Sequence, residues 1–244
     1  MKNVISFSLW GNKSIYWKGA VENIKLAKLI YPGWICRFYI DKNCDENLIN
    51  TLVGENVEVV LVEPNLIGET YNGSYQHSHQ GMFWRFLPTE NDDVDIFISR
   101  DCDSRLSLRE FEAVQEWIKS GKKFHIMRDH PHHLAPIMGG MFGAKAEYLR
   151  QINLIDKIKY WTSLRMNYQL GVDQDFLAKI IYPIVYRDSL EHSEFGLKFG
   201  GEIRPFPTIR KDYEFVGDVF DENDIRHPDY WQIIKRYYEQ AIYR

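Results

Sequence analysis

Between Val4 and Val62 the chain repeats one unit: a run of β-branched and aromatic residues, then apolar residues at helical spacing, then another such run. Val4 to Trp10 reads as a strand, ended by the turn residues Gly11 to Lys13. Ala20, Val21, Ile24, Ala27 and Ile30 recur at the interval of one helix face. Tyr31-Pro32-Gly33 stops that pattern, because proline has no amide proton to continue the helix. Trp34 to Ile40 predicts a second strand, Glu46 to Leu52 a short helix, and Val57 to Val62 a third strand that alternates too little to be half exposed and is expected to be buried on both faces. Parallel neighbours need a crossover between them, so this rhythm implies an α/β class with a mostly parallel sheet flanked by helices. With 244 residues, 45% of them hydrophobic, one large core can be buried and a single domain is expected.

Pro64 to Gln80 is polar and Gly-rich, and its length predicts a functional or mobile loop. Gly81 to Leu87 predicts a short helix, and Val94 to Ser99 a buried strand that runs straight into Arg100-Asp101-Cys102-Asp103-Ser104-Arg105. Leu108 to Ser120 is an amphipathic helix closed by Gly121, Lys122 to Met127 a strand, Arg128 to Pro136 a His-rich loop, and Ile137 to Ala144 a Gly-interrupted strand. The α/β rhythm lasts to about Tyr186. Asp188 to Asp221 is short-patterned, and Asp229 to Tyr243 predicts a final amphipathic helix.

Charge arriving at the carboxyl end of a buried strand is informative, because ligands of open α/β sheets bind along that edge. Asp101 and Asp103 offer hard oxygen ligands to Mg or Mn, whose octahedron a diphosphate can complete. The bland alternative is capping of the helix that starts near Ser107. A second cluster, Gly171-Val172-Asp173-Gln174-Asp175, is a glycine turn into a helix with acidic and amide residues in its first turn. Asp173 can cap that helix, but capping does not account for Gln174. His125, His130, His132 and His133 invite a zinc reading, but His130, His132 and His133 lie in a Pro-bearing loop with no fourth ligand at a set spacing, so acceptor binding or a solvated loop suits them better. Trp84 is expected in the core, and Cys102, between two residues that face a metal, is expected to point away from it.

The charges exclude some partners. Thirty basic and 34 acidic residues leave a net charge of -4, mixed along the chain, which provides no field for nucleic acid or an anionic membrane surface. Cys36, Cys44 and Cys102 are an odd number with no C-x-x-C spacing, so a reducing, cytoplasmic setting is expected. No stretch approaches the roughly 18 apolar residues of a membrane span.

A strand leading into Asp101-Cys102-Asp103, the segment Met138-Gly139-Gly140-Met141-Phe142, and a later Asp173-Gln174-Asp175 at a helix start resemble, in that order, retaining GT-A glycosyltransferases of the glycogenin and lipopolysaccharide galactosyltransferase type. Phe83-Trp84-Arg85-Phe86-Leu87-Pro88 followed by Phe97-Ile98-Ser99-Arg100-Asp101 also resembles small GT-A-like proteins of bacteria and large algal viruses. The resemblance implies a GT-A, Rossmann-like sheet, with a nucleotide-binding part over about 1–105 and an acceptor-side part over about 106–244. It implies metal-dependent transfer of a hexosyl or deoxyhexosyl group from a nucleoside diphosphate sugar, UDP-linked, to a glycan acceptor in polysaccharide biosynthesis, with manganese or magnesium as cofactor.

Residue by residue, the resemblance makes Asp101 and Asp103 metal ligands, with Asp101 also near the donor ribose. It puts Arg85 on the donor's phosphate or sugar, and the backbone at Phe7, Ser8 and Leu9 under the nucleotide base. Gly139 and Gly140 admit the sugar. Gln174 lies beside the anomeric carbon, flanked by Asp173 and Asp175 on donor hydroxyls. The third metal ligand of those families, a histidine in a downstream motif, has its nearest candidate in His192, and the phosphate lysine of that motif a loose counterpart in Lys198 or Lys211. Retention follows if the amide match holds, and inversion if Asp173 acts as a lone base. A sugar nucleotidyltransferase would carry a longer Gly-rich phosphate loop than Gly11-Asn12-Lys13. A non-catalytic sugar- or nucleotide-binding module on the same scaffold is the other alternative.

Overall fold

The computed structural model describes residues 1–63, 79–164, 171–195 and 198–242. Residues 64–78 of the expected long loop, and Tyr243 at the expected end of the last helix, lie outside the described residues. Among the described residues the strands are β1 (Lys2–Leu9), β2 (Ile35–Asp41), β3 (Val57–Val62), β4 (Val94–Ser99), β5 (Phe124–Arg128), β6 (Phe142–Lys145), β7 (Ser189–Ser193) and β8 (Glu202–Arg204). They form one sheet in the order β3-β2-β1-β4-β6-β5-β7-β8. Only β6 opposes the rest, lying antiparallel to β4 on one side and β5 on the other. The parallel registers, Leu9 with Ile40 and Ser6 with Ser99 among them, bring the carboxyl ends of β1, β2 and β4 to one edge.

Helices cover both faces. They are α1 (Ser14–Ile30), α2 (Glu46–Ile49), α3 (Leu108–Ser120), α4 (Ala146–Gln151), α5 (Leu154–Ser163), α6 (Val172–Phe176), α7 (Tyr182–Val185) and α8 (Pro228–Ile242), with a 3-10 helix over His79–Glu90. Because successive strand residues face opposite ways, Ile5, Phe7 and Leu9 pack against Trp17, Ala20 and Ala27 of α1 and Trp117 of α3. Val4, Phe97, Phe124 and Phe142 belong to the other layer, with Phe83, Trp84 and Phe86 of the 3-10 helix and Leu149, Ile155 and Ile158 of α4 and α5. Trp84 is therefore a core residue, edge-on to Trp10 with ring centroids 6.0 Å apart. Each large side chain buried this way contributes about 1.5–3 kcal/mol against the exposed chain.

Two sequence expectations fail here for physical reasons. β3 is not buried on both faces: it is the edge strand, and Val59, Val60 and Leu61 are 37%, 37% and 56% exposed. The Gly-interrupted strand begins only at Phe142, because residues 137–141 turn beneath the side chains described below. β7 and β8 fall inside the stretch that showed no regular pattern. Of the four buried positions of β7 only Leu190 is apolar, Ser189, Glu191 and His192 being polar, and β8 has none buried, so no apolar alternation marks them.

Candidate active site

The strand edge brings the acidic loop, the 3-10 helix and the start of α6 together. Arg100, the residue after β4, is fully buried, and its Nε donates to Glu110 Oε1 at 2.9 Å, tying the loop's entry to α3. Its backbone N–H donates to the Ser6 carbonyl at 3.0 Å, which continues the β1–β4 pairing to the brink of Asp101. Beyond, the Ser104 hydroxyl donates to the Asp101 carbonyl at 2.9 Å, and Asn23 of α1 donates to the Ser104 carbonyl at 2.9 Å while accepting from the Leu106 amide at 3.0 Å. The far side of the loop is held by the carboxyl-terminal part of the chain. Phe220 N–H donates to the Asp103 carbonyl at 2.9 Å, Ser104 pairs with Val219, and Arg105 meets Asp224 at 2.7 Å.

This scaffold leaves Asp101 partly exposed and Asp103 half-buried, and turns the intervening thiol inward. Cys102 is buried with its Sγ 3.7 Å from the Ser8 carbonyl. Burial, then Asp103 and Asp101, lift its thiol well above the ordinary range, so it is an inert packing group. The Asp103 carboxyl is pushed up to about 6, first by burial and then by the Asp101 charge beside it. Tyr16 of α1 feels the same two carboxylates, and burial followed by Asp103 and Asp101 raises its hydroxyl.

Arg85 organises the other wall. Its backbone N–H donates to the Ser8 hydroxyl at 2.8 Å, which docks the 3-10 helix on the end of β1. One guanidinium nitrogen, Nη1, bonds Asp101 Oδ1, and the other, Nη2, lies 2.7 Å from Asp173 Oδ2. Burial works against the charge, but Asp101 and Asp173 outweigh it and hold Arg85 firmly cationic. Asp173, 2% exposed, is itself raised by burial and by Asp101, with Arg85 opposing. Gly171, at φ 83°, makes the left-handed turn that starts α6 with Asp173 aimed inward.

The glycine pair explains the closeness of these groups. A methyl on Gly140 would overlap the Asp101 carboxylate, and one on Gly139 would overlap Asp173 and approach Arg85 Nη2 to 2.6 Å. The bare backbone of 139–140 is thus the floor on which three charged side chains meet. The Ser99 hydroxyl donates to the Gly139 carbonyl at 2.7 Å and fixes that floor to β4.

The remaining candidates divide. Phe7, Ser8 and Leu9 stand at the end of β1; Phe7 and Leu9 are buried, Phe7 stacking on Phe38 at 4.9 Å, which leaves backbone rather than those two side chains at the edge. Gln174 is half-buried beside Asp173, whereas Asp175 turns outward to Lys179 at 2.9 Å. His192 does not join the acidic pair. It is completely buried on β7, with Nδ1 2.8 Å from His125 Nε2 and Nε2 3.1 Å from Glu116 Oε2, so both ring nitrogens are taken. Lys198 and Lys211 are exposed.

The histidine loop is a structural knot. His130 Nε2 meets the Tyr230 carbonyl at 3.0 Å, while the ring nitrogens of His130 and His133 accept from the backbone N–H groups of His132 and Asp129 at 3.0 Å. Burial pushes His133 down to about 3. Among the described residues no three His, Cys, Asp or Glu side chains are grouped to hold a metal by themselves. Asp101 and Asp103 nevertheless suit a hard divalent ion: both are carboxylates, they repel each other, and the Asp101 side chain is 45% exposed, which leaves an approach for a ligand's oxygens. Sequence reasoning did not foresee that Arg85 would join Asp101 to Asp173, a contact between three distant segments with no local signal.

No family model matches the sequence, and no curated protein does. Solved structures do. The galactosyltransferase LgtC, in complex with donor and acceptor sugar analogues, is similar with a TM-score of 0.52 at 15% identity, over 78% of this chain and 73% of that one. The glycosyltransferase GlyE of Streptococcus pneumoniae gives 0.50 at 10% identity, over 78% of this chain and 44% of that one. A glycosyltransferase involved in glycosylation of the major capsid of PBCV-1 gives 0.49 at 15% identity, over 79% and 82%. The chain has the mixed, mostly parallel GT-A sheet.

Proposed function

We propose that this chain is a metal-dependent glycosyltransferase that moves a sugar from a nucleoside diphosphate donor, UDP-linked, to a glycan hydroxyl with retention of configuration. A fold alone does not fix an activity. The observation that carries the proposal is the meeting of Asp101, Asp103, Arg85 and Asp173 at the carboxyl edge of the sheet, over a glycine floor.

Asp101 and Asp103 would hold manganese or magnesium, which when bound offsets the diphosphate charge and stabilises the departing nucleotide. The backbone at Phe7, Ser8 and Leu9 seats the base. Arg85, cationic and planar, offers paired donors to phosphate or sugar oxygens. Asp173 binds donor hydroxyls and Gln174 presents its amide to the anomeric carbon, while Asp175, turned to Lys179, has no part in this proposal. Asp173 is engaged by Arg85, which makes it a poor lone base and favours front-face attack, with the leaving phosphate accepting the proton of the acceptor hydroxyl. His192 has no part in this proposal.

Calorimetry with UDP tests it. UDP should bind in the presence of manganese and hardly at all in chelator, because the bare acidic pair repels a diphosphate. Equal affinity in both conditions overturns the metal assignment. Transfer of sugar from a UDP-hexose to an acceptor in the presence of manganese, read as the product anomer by NMR, separates this activity from nucleotidyl transfer and from binding without turnover.

A further inference from the structure

The Asp101 carboxylate has two claimants. Arg85 Nη1 bonds one of its oxygens, and the other lies against Gly140, where no side chain could fit. Arg85 cannot drift off into solvent, since its side chain is 8% exposed and Nη2 stays 2.7 Å from Asp173, whose side chain is 3% exposed. The same carboxylate is half of the acidic pair, and a guanidinium seated on it repels a second cation that approaches it. Asp173 supplies a place for Arg85 to remain when it lets Asp101 go. A diphosphate supplies the incentive, because its anionic oxygens accept the paired donors of a guanidinium as well as a carboxylate does.

We propose that Arg85 is a built-in competitor for the metal site: it occupies Asp101 in the ligand-free chain and releases it when a nucleoside diphosphate arrives, so that nucleotide and divalent ion bind together. This rests on the metal-ligand role given above to Asp101 and Asp103. The competitor keeps the ion weakly held while no nucleotide is present. By linkage, whatever factor the nucleotide adds to ion affinity the ion adds to nucleotide affinity. Asp173 is the counterweight: remove it, and Arg85 belongs to Asp101 alone.

Manganese titrations of the whole folded chain, with and without UDP, test this through binding rather than turnover. Arg85→Gln should bind manganese alone about tenfold more tightly than the unaltered chain, within the usual range of coupling between sites. Asp173→Asn should bind it more weakly, and UDP should raise manganese affinity by a larger factor in the unaltered chain than in Arg85→Gln. Arg85→Lys, which keeps the charge but cannot span both carboxylates, should fall between the unaltered chain and Arg85→Gln, and it serves if Arg85→Gln does not fold. A purely structural Arg85 predicts the opposite sign, with manganese weakened in both arginine variants, and that result overturns the proposal. Manganese binding equally tight with and without UDP, unchanged in the arginine variants, overturns the competitor while leaving the metal site standing. Absence of manganese binding in every form and condition overturns both.

Discussion

Strands β1 and β4 bury Val4, Ile5, Phe7, Leu9, Val94, Ile96, Phe97 and Ile98, with serine the only polar type among their buried side chains. Strands β5 and β7, in the same sheet, bury His125, Arg128, Glu191 and His192. The first half is held by contacts without direction. The second adds to the buried Phe124, Ile126, Met127 and Leu190 a set of groups that must each find a specific partner: Arg128 on Glu191, Tyr182 on Glu191 at 2.9 Å, His125 on His192 at 2.8 Å, and Asp129 accepting from Arg109, Arg210 and the Val216 amide at 2.6–2.9 Å. Apolar packing tolerates exchange among shapes of similar volume, whereas a buried polar network specifies one geometry and fails when one member is lost. The site lies on the seam. Arg85 and Asp101 come from the apolar half, and Asp173 and the glycine floor follow β5 in the chain.

The comparison breaks most visibly at Asp129. It lies just past β5, fully buried, and Asp129→Ala strands two buried arginines, so a loss of about 3–5 kcal/mol is expected from urea unfolding. A loss below about 1 kcal/mol would mean that the network is ornamental and the two halves are held alike.

A smaller and pH-dependent effect is expected at Asp218. Burial pushes its carboxyl up to about 6 although Arg226, at 2.5 Å, opposes the shift. The folded chain therefore binds this proton more tightly than the unfolded chain does. Stability from this group is full below the unfolded value of 3.8 and is lost as pH rises through about 6. The loss is on the order of 2 kcal/mol. Asp218→Asn should flatten that part of the stability profile, and urea midpoints at pH 4.5 and 7.5 would show it. An unchanged slope would place the Asp218 proton with bulk carboxylates.

The least effect is expected at the edge of the apolar half. Val60→Lys on β3 should change stability by no more than about 0.5 kcal/mol, since the side chain is already 37% exposed. A loss above about 2 kcal/mol would mean that this edge is covered in the folded chain.

The same division decided what the sequence could reveal. β1, β2 and β4 are long runs of β-branched and aromatic residues, and their place as strands of a mostly parallel sheet follows from composition and spacing, whereas their order in it does not. The exposure of β3 does not follow, because an apolar run reads alike whether a neighbouring strand covers it or not. β7, with the sequence Ser189-Leu190-Glu191-His192-Ser193, is strand because of partners distant in the chain, and no periodicity records them. At the site, Asp101, Asp103 and Asp173 stand out as acidic residues at element boundaries. Their joining through Arg85 and the confinement of His192 between His125 and Glu116 are tertiary facts, set by how the segments fold over one another.

The pairing of Ser104 with Val219, and of the Asp103 carbonyl with the Phe220 amide, joins segments nearly half the chain apart. Closing so long a loop adds little entropy cost over a shorter one but delays the contact, since distant pairings form after local ones. During synthesis the first four strands leave the ribosome well before Val219 does, and they can assemble their apolar layers without it. The fastening of the acidic loop thus arrives with the last stretch of chain. A product of termination between Arg204 and Val219 has all eight strands, but an acidic loop with its far side unfastened.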